Sequence, residues 1–184
     1  FDEQGNTLTT RFFDKAGKAC ADKNGVHLTK SVWYESGNVQ SNSYFDKNDR
    51  PCRGGTVHVH SEHFTYFANG MPLTFSYFDE NDQPTTNDSM CHLVKFTIDA
   101  QNRMDSWSYF DVNGKQTKAF DDTSTTKLGF DQRGNSNSTS YFDENGAPVL
   151  YLGYHQARRT FDDRGLEITC DYYDVSGRPV NVYT

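Results

Sequence analysis

An aromatic-aromatic-Asp motif recurs six times along this chain at almost constant intervals. The motif reads FFD once, YFD four times and YYD once, and its aspartates are Asp14, Asp46, Asp79, Asp111, Asp143 and Asp174. Successive copies lie 32, 33, 32, 32 and 31 residues apart. A fixed internal period of this length is typical of tandem repeat proteins, in which each unit buries its apolar face by stacking on its neighbours. The sequence therefore predicts an array of small units.

A second, weaker motif precedes each copy by 11 or 12 residues. Its copies are Phe1-Asp2, Tyr34-Glu35, Phe67-Ala68, Ile98-Asp99, Phe130-Asp131 and Phe161-Asp162. In most copies of both motifs Asp is followed three residues later by Gly, Asp or Asn. Such an Asp accepts hydrogen bonds from the backbone N–H groups just ahead of it, and the last position suits positive φ. The motifs therefore predict alternating minor and major turns of type I with a G1 bulge, and the copies at Glu35 and Ala68 are interpreted as one residue short.

About seven residues separate a minor turn from the next major turn, enough for one strand. Apolar residues alternate within it, as in Leu73, Phe75 and Tyr77, which indicates a strand with one apolar face. The predicted fold is all-β, a tandem array of six hairpin repeats of about 32 residues stacked into an elongated, solenoid-like sheet. The predicted units are 1–33, 34–65, 66–97, 98–129, 130–160 and 161–184 of a single array.

The polar connections after the major turns are predicted as loops with a short strand or a helical turn. The sequence opens inside a minor turn and closes without an atypical terminal unit. Natural arrays usually end in altered capping repeats. We therefore expect the chain to be a piece of a longer protein.

Charge and hydropathy disfavour several classes of partner. The formal net charge is −7, whereas non-specific nucleic-acid binding requires Lys and Arg to neutralise phosphates. The same charge disfavours binding to anionic membranes. No stretch reaches 18 consecutive apolar residues, so membrane insertion is not expected. The N-terminal FDEQGNTLTT also lacks the basic and apolar regions of a signal peptide.

The cysteines are Cys20, Cys52, Cys91 and Cys170, with no close pair among them. This spacing disfavours a cysteine zinc site. Cys20 and Cys52 occupy the same place in neighbouring units, where two intervening strands would hold them roughly 10 Å apart. A disulfide requires Cα atoms within about 7 Å. All four cysteines are therefore predicted to be free thiols, and no cofactor is predicted.

Two groups of residues resemble metal ligands. A strand over Val57–His60 would bring His58 and His60 to one face with Glu62, a conceivable metal site. Histidine recurs at a similar place in other units, which favours a repeated structural hydrogen bond. The turns that start at Asp46, Asp79, Asp111 and Asp143 resemble calcium loops. None has the bidentate Glu at position twelve, so turn formation is sufficient to explain these aspartates.

The first tyrosine of each of the last five major motifs forms a row once the units stack. Such a row most often packs within an array, whereas a solvent-facing row would form a protein or sugar surface. The candidate binding residues are Tyr44, Tyr77, Trp107, Tyr109, Tyr141 and Tyr172.

The segment from Tyr141 to Val180 resembles a family of bacterial tandem repeats with the pattern YFDxxGxP, Gly-x-His and FDxxGN, similar to YD-type repeats. This resemblance implies a non-catalytic ectodomain or scaffold, and a cell-surface or secreted location over a cytoplasmic one. Aromatic YYFDxxG repeats of choline-binding and glucan-binding modules are a second resemblance. Those repeats usually carry more tryptophan than Trp33 and Trp107 supply here.

No catalytic cysteine environment, nucleophile elbow or phosphate loop is recognisable. Every unit uses its polar residues in the same turns, and none looks specialised. The chain is therefore not expected to be an enzyme. The predicted function is protein–protein interaction or spacing within a larger bacterial protein, and the alternative is carbohydrate or cell-wall binding.

Overall fold

The computed structural model describes residues 1–182, and this part of the chain is all-β without a helix. Its strands are β1 (Thr9–Arg11), β2 (Leu28–Trp33), β3 (Val39–Phe45), β4 (Ser61–Tyr66), β5 (Pro72–Phe78), β6 (Leu93–Ile98), β7 (Met104–Phe110), β8 (Thr125–Phe130), β9 (Ser136–Phe142), β10 (Gln156–Phe161), β11 (Glu167–Tyr173) and β12 (Pro179–Val180). Strand order follows chain order. The prediction of an all-β fold made of hairpin repeats is confirmed. The described residues offer no helix that could cross a lipid bilayer.

The chain divides into two compact units. The first comprises Phe1–Val94 with Asp111–Gly114, and the second comprises Lys95–Phe110 with the residues from Lys115 onward. In the first unit β2 and β3 form one hairpin and β4 and β5 the next, and β3 pairs with β4. In the second unit β8 and β9 pair as a hairpin, as do β10 and β11, and β9 pairs with β10. All these pairings are antiparallel.

Each hairpin reverses at a minor turn closed over five residues. The Asp131 N–H donates to the Asn135 carbonyl, and the Gly134 N–H donates back to the Asp131 carbonyl. Gly134 has φ of 90°, which favours glycine because it lacks a Cβ. The Asp131 carboxylate accepts the N–H groups of Arg133 and Asn135, each at 2.9 Å. The predicted tight turn with a left-handed fourth residue is confirmed.

The prediction that the minor turns near Glu35 and Ala68 are one residue short is wrong. The Tyr34 N–H donates to the Asn38 carbonyl, and the Phe67 N–H donates to the Met71 carbonyl. Both turns therefore have the usual five-residue closure, with an aromatic residue where the other copies have Asp. Counted from this position, every minor turn starts 12 residues before its major turn.

A third turn follows each of the first five major turns, where the sequence predicted a loop with a short strand or helical turn. It begins eight residues after the major-turn Asp, and its backbone closures are Asp22 to Val26, Gly54 to Val59, Asn87 to Cys91, Ala119 to Thr123 and Tyr151 to Tyr154. These closures span 4, 5, 4, 4 and 3 residues. They match unit lengths of 32, 33, 32, 32 and 31. All variation in unit length therefore lies in the third turn.

The core lies where each third turn folds over the sheet. Val26, Val59 and Cys91 close successive third turns and are at most 2% exposed. Tyr44 packs under the next third turn, because a Cβ on Gly54 would lie 2.3 Å from Val26 Cγ2 and 3.0 Å from the Tyr44 ring. Glycine at this position is therefore required for the close approach of the turn. All four cysteines are free thiols, as predicted.

Candidate functional site

The tyrosine row is partly core. Tyr44 and Tyr77 are buried, and the Tyr44 hydroxyl donates to Glu62 Oε1 at 2.5 Å. Burial, together with this hydrogen bond, raises the pKa of Tyr44, and burial also raises the pKa of Glu62. The expectation that the row packs within the array is confirmed for these two residues.

The other members of the row are half-buried. The Tyr141 ring lies 4.8 Å from that of Tyr151 and 5.7 Å from that of Tyr154, and Tyr154 lies 4.7 Å from Tyr172. Trp107 Nε1 donates to the Tyr109 hydroxyl at 3.0 Å. Within the second unit the structure thus brings Trp107 against Tyr109, and Tyr154 joins Tyr141 to Tyr172 through ring contacts.

The histidines have a repeated structural role. The Nδ1 atoms of His60, His92 and His155 lie 2.8–2.9 Å from the carbonyl oxygens of Tyr44, Tyr77 and Tyr141. A carbonyl can only accept, so Nδ1 carries the proton. His27 makes the same kind of contact with the Cys20 carbonyl at 2.8 Å. The recurring hydrogen bond predicted from the sequence is confirmed.

The predicted strand over Val57–His60 is wrong. Val57 and His58 lie in the third turn that Gly54 and Val59 close, His60 follows that turn, and His58 has φ of 51°. His58 contacts the Asp88 carboxylate, while His60 bonds the Tyr44 carbonyl. The two imidazoles therefore have different partners. No group of three or more potential metal ligands occurs within residues 1–182.

The turn aspartates are occupied by backbone donors. Asp46 Oδ1 accepts the N–H groups of Asn48 and Arg50 at 2.8 and 3.0 Å. These bonds hold the pKa of the Asp46 carboxyl below its usual range because they stabilise its charged form. The resemblance to calcium loops is thereby explained by turn formation.

A groove of about 750 Å³ opens between two successive minor turns of the first unit. It lies between the turn that begins at Tyr34 and the turn that begins at Phe67, and it is mainly apolar. Its lining residues are Tyr34, Glu35, Ser36, Asn38, Thr65, Tyr66, Phe67, Ala68, Asn69 and Gly70. This groove is the candidate functional site, and we call it the aromatic groove.

Two tyrosines fix the walls of the aromatic groove. The rings of Tyr34 and Tyr66 are perpendicular, with centroids 6.1 Å apart. The Tyr34 hydroxyl donates to the Phe64 carbonyl at 3.1 Å, and the Tyr66 hydroxyl donates to the Val39 carbonyl at 2.9 Å. These hydrogen bonds hold the rings upright against neighbouring strands, so the site is preformed. Burial raises the pKa of Tyr66, so this phenol stays neutral at physiological pH.

The aromatic groove was missed at the sequence level, where no unit looked specialised. Its signal was the spacing of 11 residues instead of 12 from the weaker motif to the major motif. This spacing occurs only in the copies that start at Tyr34 and Phe67. The spacing of 11 residues arises because an aromatic residue occupies the Asp position of the turn, and the turn itself is not shorter.

Comparisons with known proteins give a fold and no family. No family model and no curated protein matches the sequence. A chain in the crystal structure of TcdB2-TccC3-Cdc42 matches with a TM-score of 0.52 and 12% identity, over 89% of this chain and 7% of that chain. A chain in the crystal structure of TcdB2-TccC3 gives a TM-score of 0.45 and 13% identity, over 93% and 9% of the two chains. The likeness agrees with a YD-like β-repeat fold, and this chain spans less than a tenth of those proteins.

Proposed function

We propose that this chain is a non-catalytic interaction module within a larger bacterial protein, at the cell surface or secreted, and that its partner is a protein. The aromatic groove supports this proposal. It is the place where side chains depart from the repeat to leave a wide, mainly apolar recess beside preformed rings. Aromatic residues at such recesses contribute much of the binding energy at protein interfaces.

The polar groups of the repeat support a role without catalysis. Turn aspartates accept hydrogen bonds from backbone N–H groups, as at Asp131, and the histidines that follow third turns donate to backbone carbonyls, as at His60. Groups held in this way stabilise turns and strands and are not poised as an acid–base pair. The match to a chain in the TcdB2-TccC3-Cdc42 structure is also compatible with a module in a longer chain, since it spans 7% of that protein.

Site-specific photo-cross-linking tests the proposal. A benzoylphenylalanine in place of Phe67, in cells that produce the protein, should yield a discrete covalent adduct with another protein. The same residue in place of Phe120, which is 69% exposed in the second unit, is the matched control and should yield none. Absence of an adduct at position 67, or equal adducts at both positions, would contradict a protein-binding groove.

Carbohydrate binding is the second candidate, favoured by the half-buried pair of Trp107 and Tyr109. Adjacent aromatic side chains can stack on sugar rings through their apolar faces. Screening on a glycan array separates the two functions. Saturable sugar binding that is lost in Trp107→Ala and retained in a Phe67→Ala variant would favour the carbohydrate function over the protein function.

A further inference from the structure

Cations of this chain repeatedly lie over its own aromatic rings. Lys30 Nζ is 4.4 Å from the centroid of Phe45, and Lys127 Nζ is 4.7 Å from that of Phe142. At the minor-turn edge of the second unit, the Arg103 guanidinium carbon lies 4.2 Å from the centroid of Phe130. The negative face of each ring attracts the positive charge.

The aromatic groove lies at the position in the first unit that is equivalent to the junction of Arg103 and Phe130 in the second unit. Arg103 closes one minor turn and Phe130 precedes the next, just as Asn38 closes a minor turn and Tyr66 precedes the next. The glycines of the following turns confirm this equivalence. A Cβ on Gly134 would lie 3.7 Å from Arg103 Nη1, and a Cβ on Gly70 would lie 3.8 Å from Asn38 Nδ2.

The first unit lacks the cation at this junction. Asn38 is neutral and too short to reach over the ring as Arg103 does, and it lines the recess together with Tyr66. The residues of the described chain that line the groove include no Lys or Arg, whereas Glu35 contributes a carboxylate. Arg103 is paired with Asp99, Nη2 to Oδ2 at 2.6 Å, so the second unit likewise combines a ring with a nearby carboxylate.

We propose that the aromatic groove binds the guanidinium group of an arginine side chain supplied by the protein partner. This inference rests on the proposed protein-binding function and names the chemistry of the contact. Tyr34, Tyr66 and Phe67 provide ring surfaces and Glu35 provides the opposite charge. The net charge of −7 favours approach of a basic segment. A planar guanidinium stacks on aromatic rings and pairs with carboxylates more effectively than a compact ammonium does.

Titration of the ¹⁵N-labelled chain with N-acetyl-arginine amide tests the inference directly. Saturable chemical-shift changes are expected at the amides of Ser36, Asn38, Asn69 and Gly70, with millimolar affinity because one contact of this kind is weak. The neutral isostere N-acetyl-citrulline amide should bind at least several-fold more weakly. Equal binding of the two compounds, or the absence of saturable shifts, would overturn the proposal. Tighter binding of tetramethylammonium than of arginine would assign the groove to quaternary ammonium ligands instead.

Reciprocal variants of the two junctions sharpen the test. Asn38→Arg should supply the cation internally and abolish arginine binding, whereas Asn38→Gln, which adds length without charge, should retain it. Arg103→Asn should uncover Phe130 and produce new arginine-dependent shifts at Gly134. Glu35→Gln changes an exposed side chain and should weaken binding several-fold without unfolding the chain. Unchanged affinity in both Asn38→Arg and Glu35→Gln would contradict the assignment.

The outcome is distinguishable from failure of the proposed function. A protein adduct at position 67 together with no arginine binding would preserve the interaction function and reject the guanidinium contact. Arginine binding that is lost in Asn38→Arg should also predict loss of the adduct in that variant. An adduct that persists in Asn38→Arg would show that the partner is held by other contacts, and it would reject the arginine contact as the basis of recognition.

Discussion

The minor-turn edge of the first compact unit differs from that of the second in what joins one turn to the next. In the first, the hydroxyl groups of Tyr34 and Tyr66 donate to strand carbonyls. In the second, the Arg133 guanidinium donates to the carbonyls of Asp162 and Asp163. The backbone turn is the same in both units. The repeat therefore fixes the turn and leaves the side-chain junction variable, which is how one copy can acquire a recess.

The interiors differ as well. In the first unit the rings of His60 and His92 meet Phe45 and Phe78 edge to face, with centroids 5.4 and 5.5 Å apart. In the second unit Ser124 occupies one of these places, and its buried hydroxyl is without a hydrogen-bond partner among the described residues. Histidine thus follows every third turn of the first unit, at His27, His60 and His92, whereas serine takes this place once in the second unit. A buried hydroxyl without a hydrogen-bond partner among the described residues also occurs in the first unit, at Ser61.

The largest expected effect is the difference in stability between substitution of the buried Gly54 and of the half-buried Gly129. Gly54→Ala should destabilise the chain by about 2–3 kcal/mol, because the new methyl group would overlap Val26 and Tyr44 in the core. Gly129→Ala should change the free energy of unfolding by less than about 0.5 kcal/mol. Its methyl group meets a serine hydroxyl that can rotate, and strand glycine is itself unfavourable. Chemical denaturation of both variants checks this difference, and equal losses would contradict it.

Exchanging histidine and serine at the position that follows a third turn should change the stability of the two units in opposite directions. Ser124→His should stabilise the second unit by about 1 kcal/mol by adding a buried hydrogen bond and a ring contact. His60→Ser should destabilise the first unit by about 1–2 kcal/mol, because it leaves the Tyr44 carbonyl without this donor. Thermal unfolding of the two variants, beside the double variant, measures both changes. Destabilisation by Ser124→His would show that this junction cannot accept the ring.

A smaller effect is expected in the salt dependence of stability, which should differ between the minor-turn edges of the two units. Arg133→Ala should cost about 0.5 kcal/mol at low ionic strength and less at 1 M salt, because Arg133 is half exposed and its ion-pair partner Asp163 is fully exposed. Tyr34→Phe removes a neutral hydrogen bond to Phe64 and should cost about 0.5–1 kcal/mol at any salt concentration. Urea denaturation at two salt concentrations provides the measurement. Parallel salt dependence in the two variants would remove the distinction.

The smallest expected effect is a local loss of turn stability at acidic pH. A side-chain hydrogen bond from Asn135, with backbone bonds, holds the pKa of Asp131 below its usual range. The carboxylate therefore stabilises its turn fully above the unfolded pKa of about 4, and this stability is lost as pH falls through the lower folded pKa. Amide protection at Gly134 and Asn135 should decline between pH 5 and pH 2.5 by NMR. Gly37 should be unaffected because Tyr34 replaces the Asp, and an equal decline there would be contrary evidence.

The hairpins could be predicted from the sequence because an Asp followed three residues later by a residue that tolerates positive φ commonly forms a tight turn. Prediction failed at Tyr34 and Phe67, where aromatic residues occupy the Asp position and the turn is imposed by the paired strands. It also missed the third turn, although Asp22 to Gly25 follows the same rule. The first residues of the other third turns share no type. Asn87 accepts the N–H groups of Ser89 and Cys91 as the turn aspartates do. The turns that begin at Gly54, Ala119 and Tyr151 have no such acceptor at their first position, and their closure is set by the strands on either side.

Confinement of every length change to the third turn has a practical consequence. The closures of Tyr151 to Tyr154, of Asp22 to Val26 and of Gly54 to Val59 differ in length by single residues while the hairpins beside them keep their register. The chain thus contains its own natural insertion series. An epitope, tag or reporter loop grafted into a third turn should leave strand pairing intact, whereas the same graft at a minor turn would alter the spacing that all copies share.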